Sequence, residues 1–327
     1  MLTLSVRAQR WAMKEPFAIS RGVQTDQPTI VVEVNDAQGY RGRGEACGIP
    51  YEGDTPETLM GQIEAQRSAL EHCMDRHRLR EILPAGGARC AIDSALWDLE
   101  AKRKGQRAWS LAGLTAMAPV ATACTIGIRS LPGYTRKGRE LSSFSVLKVK
   151  VGKDDPVSAV RAVRAGAPDS RLIVDPNQSW TIDQLKTLAT EMAALGVVLL
   201  EQPIRVGEEG GLRGYRCPVP LCADELIRDQ LDLGKAAGIF DVINIKLDKT
   251  GGLTEALDLA NAAERAGFQL MVGCMAGSSL SMAPALILAQ RCAFVDLDGP
   301  LLQAEDWPDG LLYRDGVIYP PSPDFWG

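Results

Sequence analysis

Five residues able to bind a hard cation or move a proton recur at near-constant intervals: Lys150, Asp175, Glu201, Asp224 and Lys246, separated by 25, 26, 23 and 22 residues. Each closes a short apolar run: SVLKVK, RLIVD, VVLLE, VPLCAD and DVINIK. Three carboxylates brought together repel one another unless a cation compensates, and hard oxygen donors suit Mg²⁺. Lys148 stands two residues before Lys150, so both fall on one face of an extended strand. Lysines are normally exposed, because burying the ammonium is costly. Beside a divalent cation and a second ammonium the neutral amine is favoured, which is the form a general base needs. One lysine on each side of a metal suits removal of a proton from one face of a carbon and its return to the other. The metal would stabilise the enediolate between the two steps. Asp296 and Asp298, in CAFVDLDGP, share a strand face and can hold an ammonium group by charge-assisted hydrogen bonds. The two histidines, His72 and His77, lie in EHCMDRHRLR, which reads as the end of a surface helix. Acid/base chemistry therefore falls to carboxylates, lysines, cysteines or tyrosines, and the placement of both histidines argues strongly against a histidine-based zinc site.

Converging these residues requires a repeated scaffold. From about residue 118 the chain alternates apolar runs (ATACTIG, the five above, FQLMVG and CAFVDLD) with stretches of helical spacing such as TIDQLKTLATEMAALG and GLTEALDLANAAERAG. One βα unit fits each interval. Eight such units predict a parallel (β/α)-barrel over residues 116–299, whose strands end at the active-site face. Residues 1–115 do not share the period. Segments 2–13 and 29–36 read as strands, and GARCAIDSALWDLEAKRKG places Ile92, Ala95, Leu96 and Leu99 on one helical face. This is an α+β region in front of the barrel. The tail, 300–327, is rich in proline and turn residues and is expected to return and pack on that front region.

The 327 residues are 46% hydrophobic and 24% charged, with no apolar run long enough to span a bilayer. The start, MLTLSVRAQRWAMKEPF, carries charges where a signal peptide needs an unbroken apolar stretch. Eight scattered cysteines without a CxxC suit a reducing cytoplasm. A net charge of −5 without a basic block argues against nucleic acid or membrane as the principal partner.

The motifs KVK at 148–150, DPNQSW at 175–180, EQP at 201–203, ADE at 223–225, NIKLDKTGGLTEAL at 244–257, GCM at 273–275 and DLDGP at 296–300 together resemble the enolase superfamily. The resemblance is to its muconate-lactonizing subgroup, most closely the dipeptide epimerases acting on L-Ala-D/L-Glu. It extends into ARCAIDSALWDL, and PFAISRG at 16–22 is similar to the mobile capping loop. It implies a modified TIM barrel of the enolase type with an N-terminal α+β capping domain. It also implies an isomerase with one Mg²⁺ per subunit that epimerises a small dipeptide at the C-terminal residue's α-carbon. By the resemblance Asp175, Glu201 and Asp224 ligate magnesium, and Lys150 and Lys246 are the two acid/base catalysts. Lys148 tunes Lys150 and binds the substrate carboxylate, and Asn177 and Glu225 orient ligands and lysines. Asp296 and Asp298 bind the free amino terminus. Arg21 matches the region that could meet a glutamate side chain, while Gln24 stands where related sequences often offer another cation. GCMAGSSLSMAP is small and neutral, and Asp248 is a further candidate for the pocket. The second residue of the dipeptide, acidic or hydrophobic, stays open. The same scaffold could serve an N-acylamino-acid racemase or an o-succinylbenzoate synthase-like lyase; the Asp296/Asp298 pair argues against both. A barrel that binds a small acid without turnover would have lost a catalytic position, and none is lost. The implied setting is cytoplasmic peptidoglycan-peptide metabolism, with a homo-oligomer compatible with barrels of this kind.

Overall fold

The computed structural model describes residues 2–73 and 75–327. The chain opens with a long antiparallel hairpin, β1 (Thr3–Ile19) and β2 (Gly22–Asn35), and β3 (Arg41–Ala46) completes a sheet in that order. Ile30, Val31, Val32 and Val34 of β2 are buried. Helix α1 (Pro56–Ala65) starts from a capping box between Thr55 and Thr58. Helix α2 (Gly87–Lys104) ends at Gly105, whose φ of 59° terminates it in the left-handed region. In β3 the alternation RGRGEA turns Gly42 and Gly44 toward α2, and added Cβ atoms there would lie 2.0 and 2.1 Å from the carbonyls of Ala95 and Ala91. Glycine is what lets sheet and helix approach this closely.

The expected one-sided α2 is instead buried around most of its circumference, its polar residues included. The reason is that it lies between the front sheet and the barrel, where those residues have partners. Asp98 accepts the Arg43 N–H at 2.8 Å, Arg89 donates to the Thr250 carbonyl at 2.7 Å, and Asp93 accepts the Thr254 hydroxyl at 2.5 Å.

Eight parallel strands follow in chain order: β4 (Cys124–Ile126), β5 (Val146–Lys150), β6 (Arg171–Asp175), β7 (Val197–Glu201), β8 (Leu221–Ala223), β9 (Val242–Lys246), β10 (Gln269–Gly273) and β11 (Phe294–Val295). The Ala123 N–H donates to the Val295 carbonyl at 2.8 Å, joining last strand to first. This is the modified TIM barrel. Helices α3 (Leu131–Glu140), α4 (Pro156–Gly166), α5 (Ile182–Ala194), α6 (Leu253–Arg265) and α7 (Ser279–Ala289) cover it. Two intervals depart from one full helix per unit. Between β7 and β8 there is only the short turn Glu209–Leu212, and between β8 and β9 only Gln230–Asp232 and Leu233–Ala236. Both segments carry glycines at short range, at 207, 210, 211 and 214 and at 234 and 238, which disfavour a continuous helix.

Trp326 in the tail is buried and donates to the carbonyls of Arg43 and Ser94. The Arg43 side chain donates to the Phe325 carbonyl.

Candidate active site

Because side chains alternate along a strand, one parity of each barrel strand points inward. Ala123, Ile173, Leu199, Cys222, Val242, Met271 and Phe294 form a small buried apolar cluster separate from the main core, the floor of the barrel. Two residues further on, the same parity gives Thr125, Asp175, Glu201, Asp224, Asn244, Gly273 and Asp296, and beyond Val146 it gives Lys148 and Lys150. An apolar layer thus supports a polar one toward the carboxyl ends. Gly273 belongs to this layer because a Cβ there would meet the Asn244 amide at 2.7 Å and Lys246 Cε at 3.0 Å.

The structure brings the strand-end carboxylates and lysines together. Asp175 and Glu201 are fully buried and Asp224 nearly so. Lys150 Nζ donates to Asp175 Oδ2 at 2.5 Å and Lys246 Nζ to Asp224 Oδ2 at 2.7 Å. Lys148 Nζ lies 3.2 Å from Asp175, 2.7 Å from Glu201 and 2.8 Å from Asp296. Burial would push Asp175 up, but Lys150 and Lys148 outweigh it and hold the carboxyl at about 2. Asp224 is likewise held well below its ordinary value, burial being outweighed by Lys246 and Lys249. Glu201 goes the other way: burial and the neighbouring Asp175 push it up to about 8 against the pull of Lys148.

The donor set fits a hard divalent cation. Three buried carboxylates on adjacent strands need compensating charge, and here ammonium groups stand among them, so that no three ligating side chains close around one point among the described residues. Glu201 Oε2 lies near Lys148 but out of line with a hydrogen bond, and is left as a buried acceptor without a hydrogen-bond partner.

Across the barrel, Asp296 Oδ2 accepts from Lys148 at 2.8 Å while its Oδ1 is buried without a partner. Asp298 Oδ2 accepts the Thr125 N–H at 2.6 Å, and burial together with Asp296 pushes this carboxyl up to about 7. Both lie just past β11, which ends at Val295.

The stretch PFAISRG is the tip of the β1–β2 hairpin, with its turn at Ser20 and Arg21. It leans over the barrel mouth. Ser20 Oγ reaches the Asn177 carbonyl at 3.5 Å, and Arg21 Nη1 donates to Glu225 Oε1 at 2.8 Å. Glu225 therefore partners the hairpin tip. Asn177, in the left-handed region at φ 47°, donates its N–H to Asp175 Oδ1 at 2.8 Å. Asp248 does not line the pocket: it accepts the N–H groups of Cys47 and Gly48 at 2.7 and 2.8 Å, tying the loop after β3 to the barrel. His72 and His77 are on the outside, His72 ending a short helix and bonded to the Ser68 carbonyl.

Between hairpin and barrel lies a pocket of about 380 Å³. Lys148, Lys150, Lys246, Asp296 and Asp298 form its polar wall, and Phe17, Ile19, Arg21 and Tyr51 its outer wall. The three carboxylates lie behind the lysines. Residues not anticipated are Asn244, which donates to Glu201 at 3.0 Å, Lys249, which donates to Asp224 Oδ1 at 2.7 Å, and Tyr51. Asn244 shares the parity of Lys246 and is readable from it.

Residues 134–323 match the enolase C-terminal domain-like family, and residues 1–113 match the mandelate racemase / muconate lactonizing enzyme N-terminal domain. The chain belongs to the enolase superfamily, in the mandelate racemase / muconate lactonizing enzyme group. It is 38% identical to an L-Ala-D/L-Glu epimerase of Escherichia coli K12 over 98% of this chain and 100% of that one. It is 39% identical to an N-acetyl-D-glutamate racemase of a Pseudoalteromonas species, over 91% of this chain and 95% of that one. Among solved structures it is similar to an enolase family member from Agrobacterium tumefaciens with homology to dipeptide epimerases, bound to sodium and L-Ala-L-Glu (40% identical, TM-score 0.97, all of both chains). It is also similar to a dipeptide epimerase from Enterococcus faecalis complexed with Mg and L-Leu-L-Tyr (27% identical, TM-score 0.90, 97% of this chain and 96% of that one).

Proposed function

We propose that the chain is a magnesium-dependent dipeptide epimerase of the L-Ala-D/L-Glu type, inverting the α-carbon of the C-terminal residue by a two-base transfer. The observation that carries the dipeptide reading is Asp296 Oδ1, a buried acceptor without a partner, two residues before the buried Asp298 in the segment that follows β11. An ammonium group at the free amino terminus supplies the missing donor and a compensating charge.

Strand order supports the rest. β5 and β9 stand four places apart in an eight-stranded barrel, so Lys150 and Lys246 approach from opposite sides. The arc β6, β7 and β8 lies between them and carries Asp175, Glu201 and Asp224, which would hold Mg²⁺. When bound, Mg²⁺ supplies positive charge for the substrate carboxylate oxygens, where negative charge builds as the α-proton leaves. Asp296 and Asp298, near the opposite wall, anchor the amino terminus, and Lys148 presents an ammonium to the carboxylate. One of Lys150 and Lys246 takes the α-proton as an amine while the other, as an ammonium, returns a proton to the other face. Asn177 holds Asp175, and Arg21 faces the second side chain under the hairpin. We also assign residues 1–115 with the tail 300–327 to the capping domain and 116–299 to the catalytic barrel. Cytoplasmic turnover of peptidoglycan peptides is the setting this reading implies.

A second reading, an N-acylamino-acid racemase, is favoured by the likeness to the N-acetyl-D-glutamate racemase. Incubation with Mg²⁺ in D₂O, following deuterium at the α-carbon by mass spectrometry with a chelated control, separates the two. Magnesium-dependent exchange in L-Ala-L-Glu is expected. Exchange confined to N-acetylglutamate would overturn the dipeptide reading.

A further inference from the structure

Gln202 follows Glu201 at the end of β7, in the motif EQP, and is fully buried. Its N–H donates to the Cys222 carbonyl at 2.8 Å, which continues the parallel ladder between β7 and β8. In a regular ladder the carbonyl of the same residue would face the same neighbour and accept the Asp224 N–H. Here that carbonyl is turned away. Gln202 has a φ of 33°, in the left-handed region that a glutamine seldom adopts, and its carbonyl accepts the Gln178 N–H at 2.8 Å on the β6 side. The side chain takes the place of the carbonyl: Oε1 accepts the N–H groups of Asp224 at 2.9 Å and Leu226 at 3.3 Å, and Nε2 donates to the Ile204 carbonyl at 3.2 Å. One residue thus joins the segments that carry all three carboxylates. Glu201 precedes it, the Asp224 backbone hangs from its side chain, and Gln178 belongs to the DPNQSW turn in which the Asn177 N–H holds Asp175. A left-handed backbone at a residue other than glycine is costly and persists only where its surroundings fix it, typically beside a functional site.

We infer that Gln202 is a positioning residue for the cation: its bent backbone and side-chain amide set the spacing of Asp175, Glu201 and Asp224, and with it the preference of the site for Mg²⁺ over a larger divalent cation. The inference rests on the reading that these three carboxylates hold the metal. A straight continuation of β7 would tie residue 202 to one neighbour, whereas the exchange of carbonyl for side chain ties it to both. Mg²⁺ requires near-octahedral oxygens at about 2.0–2.1 Å, while Ca²⁺ accepts less regular contacts at about 2.3–2.6 Å. A strand end that drifts out of register therefore penalises the smaller ion more.

The test is calorimetric binding of Mg²⁺ and of Ca²⁺ to the full chain after dialysis against a chelator, without substrate, and with thermal melting as a check on folding. Gln202→Met keeps the length of the side chain and removes the acceptor. Its Mg²⁺ affinity should fall by about 10- to 100-fold, the usual cost of losing a group that orients a metal ligand, and its Ca²⁺ affinity much less. Gln202→Glu retains an acceptor at the same reach and should keep the Mg²⁺/Ca²⁺ affinity ratio of its parent, because the added charge acts on both cations. If Gln202→Met does not fold, Gln202→Asn takes its place: asparagine tolerates the positive φ, but its amide falls one methylene short, so the ratio should fall as well. A lower melting temperature with an unchanged ratio, or equal losses for the two cations, overturns the inference. Asp224→Asn binding Mg²⁺ as tightly as its parent would show that the ligand assignment itself had failed, and the inference with it.

Discussion

Replacing Asp296 by Asn removes one negative charge while keeping the shape of the side chain. In the structure one oxygen of Asp296 is committed to Lys148 at 2.8 Å and the other is buried and free. A hydrogen bond between an ammonium and a carboxylate contributes roughly 1.5–3 kcal/mol, more than a neutral one. At about 1.4 kcal/mol per tenfold, kcat/KM for L-Ala-L-Glu should fall by about 10- to 150-fold. Lys148 keeps Asp175 and Glu201 as partners, so the chemical apparatus on the other wall is not dismantled. N-Acetyl-L-glutamate, with no ammonium, should lose little or gain. Asp298 adds a pH signature, since burial and Asp296 push its carboxyl up to about 7. A dipeptide ammonium binds best when both aspartates are ionised, so kcat/KM for the dipeptide should rise as pH increases through about 7. The Asp296→Asn change removes the like charge and should move that rise to lower pH. The assay is initial-rate epimerisation of both substrates between pH 6 and 8.5. Equal losses on the two substrates, with no movement of the pH profile, would refute the ammonium role.

Lys150→Ala and Lys246→Ala should each lower epimerisation by about 10³-fold, within the usual range for an acid/base group. Each should leave deuterium exchange from only one of the two epimers, and retention of exchange from both by both variants would sink the two-base scheme. Added Mg²⁺ should raise the melting temperature of the unaltered protein and much less that of Glu201→Gln; equal shifts would remove Glu201 from the cation site. Glu45, buried against Ser278, Trp11 and Trp307, is pushed up by burial from 4.5 to about 6. Its folded value exceeds its unfolded one, so its stabilising contribution is complete below about 4.5 and is lost as pH rises through about 6, an effect of about 2 kcal/mol. Guanidinium denaturation from pH 4 to 7 should show Glu45→Gln lacking that loss relative to its parent, and parallel curves would contradict it.

The chemistry was legible because it follows two short periods. Alternation along a strand put Lys148 and Lys150 on one face, and the βα repeat put Asp175, Glu201 and Asp224 on successive strands. Asn244 obeys the same rule relative to Lys246. Lys249 does not: it sits in the turn of helix Leu247–Thr250, where strand parity no longer says which way a side chain points, and it reaches back to Asp224. The missing helices flanking β8 were concealed because spacing counts residues without weighing glycines. The burial of the polar side of α2 was not legible because its partners, Thr250 and Thr254, lie 161 residues further along the chain, at the end of the helix Leu247–Thr250 and in the first turn of α6.

The outer wall of the pocket follows no period. Arg21 and Glu225 meet across 204 residues, Tyr51 arrives on a short turn, and Asp248 fixes that turn through backbone N–H groups that any residue would offer. None of these contacts repeats, so no local pattern announces them. The same asymmetry separates their consequences. Lys150, Lys246 and the carboxylates are locked by neighbours on adjacent strands, so a change there disturbs a buried charge network and with it both catalysis and stability. Arg21 and Tyr51 hang from the hairpin and a loop at the rim, where a side chain can change without disturbing the barrel core. Substitution at the rim should therefore redirect which second residue is accepted while leaving the α-proton chemistry intact.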